Sequence, residues 1–347
     1  MSARQPVSRA QRQRPREVPQ RQRGIALLVA ILLVALGTIL AAAVAYENAM
    51  TARRGSATYA FDQAVLIGEG AEAIAAYGLR QIKQSDPQHT YVGQGWDKPY
   101  GPLEVVPGVT LTAQLEDLQG RFNLNNLVNT DGTPNPAYVN AFTNLLALLG
   151  LEPKWAGYLV DWIDADIVPQ NPDGAEDSVY MGQTPPYRTA NRYITSASEL
   201  LALPGFGRDR YLRLAPYVVA LPSGTALNVC TAPGAVIDAV IGPGHSEFGA
   251  DPNQLAQNRA NATGCFPTPA NVQAAMAQGG RTNGQNAGIG NGTNGRGSSS
   301  VKFAQNSSYF RLTSEVTMGS TEFNLYSLMY QDQTGTVRAI QRSFTPD

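Results

Sequence analysis

The stretch that decides the fold is RQRGIALLVAILLVALGTILAAAVA, residues 21–45. From Ile25 to Ala45 it carries no charged side chain, and as a helix it is just long enough to cross a hydrocarbon layer about 30 Å thick. Residues 1–23 hold seven arginines against one acidic residue, Glu17. A basic segment directly before an apolar run is a topology signal, so the sequence predicts one membrane-spanning helix with its N-terminus in the cytoplasm.

Two other interpretations of this segment stay open at the level of its residues. A secretory signal peptide has a shorter apolar region, about 7–15 residues, followed by a cleavage site of small residues. The run AAAVA at 41–45 could mimic such a site. An ordinary membrane anchor that is never cleaved is the second alternative.

Composition excludes several classes of function. The chain has 347 residues and a net charge of −1, and once the basic head is set aside the remainder is acidic. A protein that binds nucleic acid through its folded part is usually basic there, so no nucleic-acid partner is expected. There is no CxxC pair and no HExxH motif, which disfavours a zinc site and thiol catalysis. Two lone cysteines in a translocated domain favour a disulfide, Cys230–Cys265, over two unpaired buried thiols.

A glycine stands between the charged head and the apolar run, in the order Arg21-Gln22-Arg23-Gly24-Ile25. In this respect the chain resembles the type IV pilin-like proteins, and specifically the pseudopilins of type II secretion. The resemblance implies that a prepilin peptidase cuts after Gly24, that Ile25 becomes the mature N-terminus, and that the mature chain is methylated. It also implies a Gram-negative inner-membrane protein with one span, whose main domain lies in the periplasm.

One departure from the pilin-like pattern is informative. The fifth mature position, where these proteins generally carry Glu, is Val29 here. In pilin-like proteins this Glu is understood to pair with the N-terminal amine of the neighbouring subunit. Without such a partner it would be costly, because an unpaired carboxylate in hydrocarbon is unfavourable. A subunit at the filament tip has no neighbour above it and can dispense with the Glu. Val29 therefore suggests a tip subunit, and the class with this departure is the K-type minor pseudopilin.

The rest of the chain alternates between helical and strand patterns. Apolar residues three or four apart from Ala64 to Ile82 predict one apolar helix face, which Asp86-Pro87 ends. Alternating residues predict strands within 103–118, with a turn at Pro107-Gly108. Further strands are predicted at 309–317, 322–331 and 336–344, with a hairpin turn at 332–335.

These elements predict an α+β fold in which a pilin-like N-terminal transmembrane helix packs on an antiparallel sheet. A large α-helical domain is inserted between the strands. The segment DLQGRFNLNN, residues 117–126, is at least a strand ending in a polar turn, but it also resembles the K-type passage from sheet to insert. The expected domains are a leader (1–24), a spine helix (25–86), the first part of the pilin-like domain (87–123), the inserted helical domain (124–278), a Gly/Asn/Ser-rich flexible loop (279–300) and the last strands (301–347).

Acidic residues concentrate in DWIDADIVPQNPDGAED, residues 161–177. Calcium takes six to eight oxygen ligands, and carboxylates on a helix end and a following loop can converge on it. The alternatives are a solvated acidic loop with Arg188 or Arg192 as counter-ions, and glycosidase-type acid–base chemistry. The K-type resemblance implies calcium, which would serve as a structural cofactor. The candidate ligands are Asp164, Asp166, Asp173, Glu176 and Asp177.

The turn LPGFG, residues 203–207, resembles a helix-hairpin-helix, in which backbone amides hold a DNA phosphate. A tight glycine turn between two packed helices is the favoured explanation, because the acidic setting argues against a phosphate. The function implied by the family is a non-enzymatic minor pseudopilin that initiates or caps the pseudopilus for export of folded proteins. Its implied partners are the minor pseudopilins of the I, J and H classes, the major pseudopilin, the prepilin peptidase, exported proteins and the outer-membrane channel. A tethered periplasmic DNA-binding protein and a tethered carboxylate hydrolase are the competing functions.

Overall fold

The computed structural model describes residues 21–242, 246–262, 264–279 and 301–345. The first 20 residues of the expected leader, and residues 280–300 of the expected flexible loop, lie outside that range. The chain divides into two compact units, residues 1–62 and 63–347. Helix α1 (Arg21–Ser85) has 65 residues and supplies all of the described part of the first unit.

Within the first unit, the side chains of α1 from Ile25 to Ala49 are exposed. An 18-residue window of this helix has a mean hydropathy of 2.9, and none of it is buried. Apolar surface of this length, left uncovered by the protein itself, has the properties of a membrane-spanning helix.

The second unit is built around a five-stranded sheet in which every neighbouring pair of strands is antiparallel. The α+β prediction is confirmed, because strands from both ends of the unit join in this one sheet. A turn at Pro107-Gly108 connects the first two strands, as predicted. In order across the sheet, the strands are β1 (Tyr100–Val106), β2 (Val109–Asp117), β7 (Tyr309–Met318), β8 (Thr321–Gln331) and β9 (Val337–Ser343).

The last part of α1 packs on this sheet through small residues. A Cβ added to Gly68 would lie 2.6 Å from Leu325 Cδ2, so glycine lets the helix approach β8 closely. Polar contacts fix the position along the strands, because Glu72 bonds to Arg342 and Ser327 while Gln331 donates to the Leu79 carbonyl. The buried core beneath the helix comprises Ala64, Ala71, Ala75, Leu79, Trp96, Leu111, Ala113, Phe310, Leu312, Val316 and Met329.

Between β2 and β7 the chain forms a region rich in short helices. Asn135-Pro136 begins the first long helix and Gly150, with a φ of 66°, follows its end. A hydrophobic cluster that includes Phe142, Trp155 and Phe206 fills its centre. Its helices are α2 (Pro136–Leu148), α3 (Trp155–Ile163), α4 (Asp177–Tyr180), α5 (Gly207–Leu214), α6 (Gly234–Ile241), α7 (Pro252–Asn261) and α8 (Pro269–Gly279).

Two small parallel strand pairs join distant parts of this region. β3 (Phe122–Asn123) pairs with β4 (Val218–Val219). β5 (Leu227–Asn228) pairs with β6 (Phe303–Ala304). Residues about 80–100 apart in sequence are thereby brought side by side where the helical region meets the sheet.

The segment DLQGRFNLNN forms the joint between sheet and helical region. Two short 3₁₀ turns, Leu118–Gly120 and Leu124–Leu127, start at Asp117 and Asn123, whose side chains accept from backbone amides two residues on. The three asparagines of the segment bond to backbone far along the chain. Asn125 donates to the carbonyls of Ile194 and Leu221, and its Oδ1 accepts from the Ile194 amide at 2.9 Å.

Asn123 and Asn126 hold residues 221–225 in the same manner. All three asparagine side chains are buried, so their amides replace water for backbone groups that would otherwise be unsatisfied. A buried polar network of this kind fixes one arrangement of the two parts, which explains why so polar a sequence lies inside the protein.

Candidate functional site

The candidate processing site lies in the first turns of α1, which begins at Arg21. Gly24, Ile25 and Val29 therefore all lie on one continuous helix. Val29 has an exposed fraction of 47% among apolar neighbours that are also exposed. Cleavage after Gly24 stays a prediction, as does the role of Val29.

Three of the five predicted metal ligands converge. One carboxylate oxygen each from Asp164, Asp166 and Glu176 lies within 4.8 Å of the other two. We call these three residues the acidic triad. Asp164 follows α3 as its C-terminal cap and Glu176 precedes α4, so two helix ends and the loop between them carry the triad.

Two members of the triad are buried with most of their carboxylate oxygens unpaired; Oε2 of Glu176 accepts from the Thr189 hydroxyl at 3.4 Å. Asp164 and Glu176 are 1% and 3% exposed, whereas Asp166 is exposed. Both side-chain oxygens of Asp164, and Oε1 of Glu176, are buried and lack a hydrogen-bond partner. Burial, followed by the charges of Asp166 and Asp161, raises the pKa of Asp164 to about 7. Burial and the charges of Asp161 and Asp164 likewise raise the pKa of Glu176 to about 7.

Asp161 shapes the loop that carries the triad. Its carboxylate is fully buried and accepts from the backbone amides of Gln170, at 3.1 Å, and Ala175, at 2.6 Å. Burial raises the pKa of Asp161 to about 6, and these two amides oppose the rise. The backbone at Gly174 lies so close to this carboxylate that a Cβ added to Gly174 would be 2.5 Å from Asp161 Oδ2. Sequence reasoning placed Asp161 in the acidic run but gave no signal for this anchoring role.

The other two predicted ligands lie apart from the triad. The side chain of Asp173 is exposed. Its carbonyl oxygen lies against Gly157, and a Cβ added to Gly157 would be only 2.1 Å from that oxygen. Asp177 accepts from the Thr189 amide and hydroxyl, and Arg188 Nε lies 3.7 Å from its Oδ2. The solvated-loop alternative foresaw Arg188 as a counter-ion, and it pairs with Asp177 rather than with the triad.

The triad fits a hard cation. Buried carboxylate oxygens without donors are costly in any protein interior, and a divalent ion with oxygen preference would satisfy them together. The remaining coordination positions can be filled by water or backbone carbonyls. The triad is thus chemically suited to hold a divalent cation.

The LPGFG turn serves packing. Gly205 and Gly207 take φ values of 80° and 74°, and Phe206 is buried edge-on against Trp155 with ring centroids 5.2 Å apart. Arg210 is bonded to Glu152, at 2.7 Å, and to the carbonyl of Phe206. Arg210, one of the arginines that follow the turn, is therefore already paired within the protein, and the geometry gives the DNA-binding alternative no support.

The predicted disulfide is confirmed: Cys230 and Cys265 are bonded. Beside it lies Arg259, which sequence reasoning missed. Its guanidinium donates to the carbonyls of Val229 and Ala232 on one side and of Phe266 on the other. The same two chain segments are thus joined once covalently and once by hydrogen bonds.

Known proteins resemble the chain over nearly its whole length. Type II secretion system protein K of Pseudomonas aeruginosa is 32% identical over 332 residues, which is 92% of each chain. The chain belongs to the type II secretion system protein K family. A sequence profile described as type II secretion system (T2SS), protein K, matches residues 120–223, which include most of the DLQGRFNLNN joint and the acidic triad. Protein K of Klebsiella pneumoniae is 39% identical over 222 residues, 61% of this chain and 67% of its own.

Among solved structures, the GspK-GspI-GspJ complex from the type 2 secretion system of enterotoxigenic Escherichia coli contains a similar fold. The TM-score is 0.62 at 21% identity, and the match covers 85% of this chain and 100% of the other. Membership of the protein K family agrees with the pseudopilin resemblance seen in the sequence, and the structural match agrees with the pilin-like body and helical insertion.

Proposed function

We propose that this chain is the minor pseudopilin at the tip of a type II secretion pseudopilus, where it initiates or caps the filament that exports folded proteins. The observation that carries the proposal is Val29, in the place where filament subunits keep a glutamate. The helical insertion supports it, because a large domain above the pilin-like body would obstruct a further subunit. The role is one of assembly rather than catalysis.

The proposed partners are pilin-like subunits of the I and J classes, since the structurally similar GspK was solved in complex with GspI and GspJ. An H-class minor pseudopilin, the major pseudopilin and the outer-membrane channel complete the assembly. The chain crosses the inner membrane once. The basic segment lies in the cytoplasm and the domain from residue 63 onward lies in the periplasm, in agreement with the arginines before the apolar run.

Calcium is the cation that we assign to the acidic triad. Asp164, Asp166 and Glu176 would hold it, and the ion would supply the positive charge that the buried oxygens of Asp164 and Glu176 lack. Its role is structural, because it ties the end of α3 to the start of α4 across the intervening loop. Asp173 and Asp177 would contribute only through water or after a rearrangement of the loop.

The deciding experiment is to determine the N-terminus of the protein recovered from membranes of its host, with and without prepilin peptidase. A mature chain beginning at Ile25 only when the peptidase is present is the expected result. Replacing Gly24 should give the unprocessed chain in both strains and block secretion. A chain that begins at Met1, or beyond Ala45, in the presence of the peptidase contradicts the proposal.

A further inference from the structure

A cavity lies between the last turns of α1 and the first strands of the sheet. It has a volume of about 260 Å³, and the buried side chains of Leu79 on α1, Leu111 on β2 and Leu312 on β7 line its interior. Protein interiors are otherwise close-packed, so a gap of this size is unusual. An apolar cavity of about 150 Å³ already binds benzene, so this cavity has room for a ligand.

A glycine on α1 keeps the cavity open. A Cβ added to Gly78, which lines the cavity, would meet nothing within 4 Å, whereas a Cβ added to Gly68 would collide with Leu325. Glycine inside a helix costs stability relative to alanine, and close packing on β8 explains that cost at Gly68. In the described part of the chain no such contact explains Gly78. Its missing side chain instead adds to the space between the helix and the sheet.

The mouth of the cavity carries a positive charge. Among the described residues that line the cavity, Lys98 alone is charged. Its side chain is exposed, and its ammonium group has no ion pair or hydrogen bond with the described residues. Ile74 and Tyr100, with exposed fractions of 45% and 47%, lie at the same opening. The cavity therefore combines an apolar interior with one unpaired cation at its entrance.

We propose that this cavity binds a free fatty acid, with the acyl chain between α1 and β2 and the carboxylate at Lys98. An apolar lining with a single charged group is typical of sites for amphipathic small molecules, and the sign of that charge selects an anionic head. An α-helix is about 10 Å wide, which is too wide for the cavity, whereas a single acyl chain is much thinner. The proposal is independent of the assembly role proposed above.

Photolabelling of the full chain in phospholipid nanodiscs tests the site. A fatty acid with a photoreactive group on its tail should label residues 71–82 and 98–115, and excess palmitate should reduce this labelling at least fivefold. Gly78→Leu fills the cavity and should reduce the labelling to a similar extent. The matched control is Gly70→Leu, because a Cβ there also meets nothing within 4 Å but Gly70 does not line the cavity. Its labelling should equal that of the wild type.

The role of Lys98 is tested by comparing the photoreactive acid with its methyl ester. The wild type should label at least threefold more strongly with the acid than with the ester, because only the acid pairs with the ammonium group. Lys98→Gln should label equally with both. Since Lys98 lies at an exposed position, this variant tests the head group even if Gly78→Leu fails to fold.

Four results would overturn the proposal. The first is equal labelling of the Gly78→Leu and Gly70→Leu variants, and the second is equal labelling of the wild type by acid and ester. The third is equally strong labelling by a photoreactive phospholipid of the bilayer, which would make the membrane the source of the acyl chain. The fourth is loss of labelling when the I and J subunits are bound, which would assign the cavity to a subunit interface. None of these results alters the N-terminal processing by which the proposed function is tested.

Discussion

At the scale of single residues, Asp117 shows how a charge is accommodated inside the joint. Its carboxylate accepts four hydrogen bonds, from the Gln119 amide, Asn228, Thr231 and Ser307. Burial raises the pKa of Asp117, and these four donors oppose the rise. The residue therefore connects the end of β2 with two segments more than 100 residues away.

Asp117→Asn should destabilise the second unit markedly. An amide has the same shape, but it turns one acceptor into a donor that faces other donors, which costs about 1–3 kcal/mol. The free energy of unfolding in urea measures the change. Asp131→Asn, at an exposed turn, is the matched control and should unfold close to wild type. Equal stability of the two variants would show that Asp117 does not support the joint.

Calcium should stabilise the wild-type protein against heat, and Asp164→Asn should remove most of that gain. An ion that binds only the folded state adds about 2.7 kcal/mol at a concentration 100 times its dissociation constant. The Asp173→Asn variant should still be stabilised by calcium, because the exposed side chain of Asp173 lies outside the triad. Calorimetry with calcium and with chelator distinguishes the variants. A gain that survives in Asp164→Asn would exclude the triad as the binding site.

Sequence reasoning located the acidic loop but not the geometry within it. Acidic residues cluster visibly from 161 to 177, yet only the folded loop shows that Asp161 faces backbone amides while Asp164 faces other carboxylates. The roles of the asparagines in DLQGRFNLNN were hidden for the same reason. Their partners lie about 70–100 residues away in sequence, and contacts at such separations leave no local sequence pattern.

At the scale of elements, α1 is fixed to the sheet by an ion pair between a buried glutamate and an exposed arginine. Arg342 of β9 donates to both carboxylate oxygens of Glu72, at 2.7 Å each, and the Ser327 hydroxyl donates to one of them. Burial raises the pKa of Glu72, but these hydrogen bonds and the charge of Arg342 outweigh it and lower the pKa overall.

Glu72→Gln should therefore make the free energy of unfolding less dependent on pH. A carboxylate with a lowered pKa in the folded state contributes stability above its unfolded pKa, about 4.5, and loses it as the pH falls through the folded value. The variant should lose about 1–2 kcal/mol near neutral pH and approach wild type in more acidic solution. Chemical unfolding at pH 7 and below pH 4 measures the difference. A constant gap at both pH values would contradict the ion-pair explanation.

Arg259 and the disulfide give a second test at this scale. Burial lowers the pKa of Arg259 to about 10, but the group stays charged at neutral pH and donates to three carbonyls beside the cysteines. Arg259→Met should slow formation of the Cys230–Cys265 bond during oxidative refolding, because the two segments are no longer aligned. Trapping of free thiols over time measures the rate, with the exposed Arg213→Met as control. Equal rates would show that Arg259 acts only after the bond has formed.

Elements with strong periodicity were predicted well. The three predicted C-terminal strands agree with the structure to within about two residues, because alternation and turn residues mark them locally. The β3–β4 and β5–β6 pairs were missed, since two-residue strands leave no periodic signal. Helix α7 was likewise missed within a polar stretch.

At the scale of the whole molecule, the order of elements was the decisive information. Strands before and after a helical stretch predict that the helical stretch is an insertion, and the single sheet bears this out. What order alone could not provide was the joint, where side chains of residues 117–126 bond across the boundary. Those contacts depend on the finished fold of both parts.

Removing the helical insertion should therefore fail to leave a stable pilin-like body. A short linker from Asp117 to Ser308 would keep every strand of the sheet but remove the partners that Asp117 finds in Asn228, Thr231 and Ser307. Circular dichroism and urea unfolding of this deletion should show a broad, low-stability transition. A sharp transition of wild-type stability would show that the body does not depend on the joint.

The pairing of β2 with β7 also sets an order of events during biogenesis. Val109 meets Met318, so the centre of the sheet cannot close until more than 200 further residues have left the translocation channel. Until then β2 presents an open edge with apolar side chains such as Leu111, while the helical insertion, whose contacts are more local, can already fold. In the proposed topology, a newly exported chain thus spends its first moments with two strands of an unfinished sheet ahead of a helical region that is already folding, and it is in this interval that periplasmic chaperones and proteases compete for it.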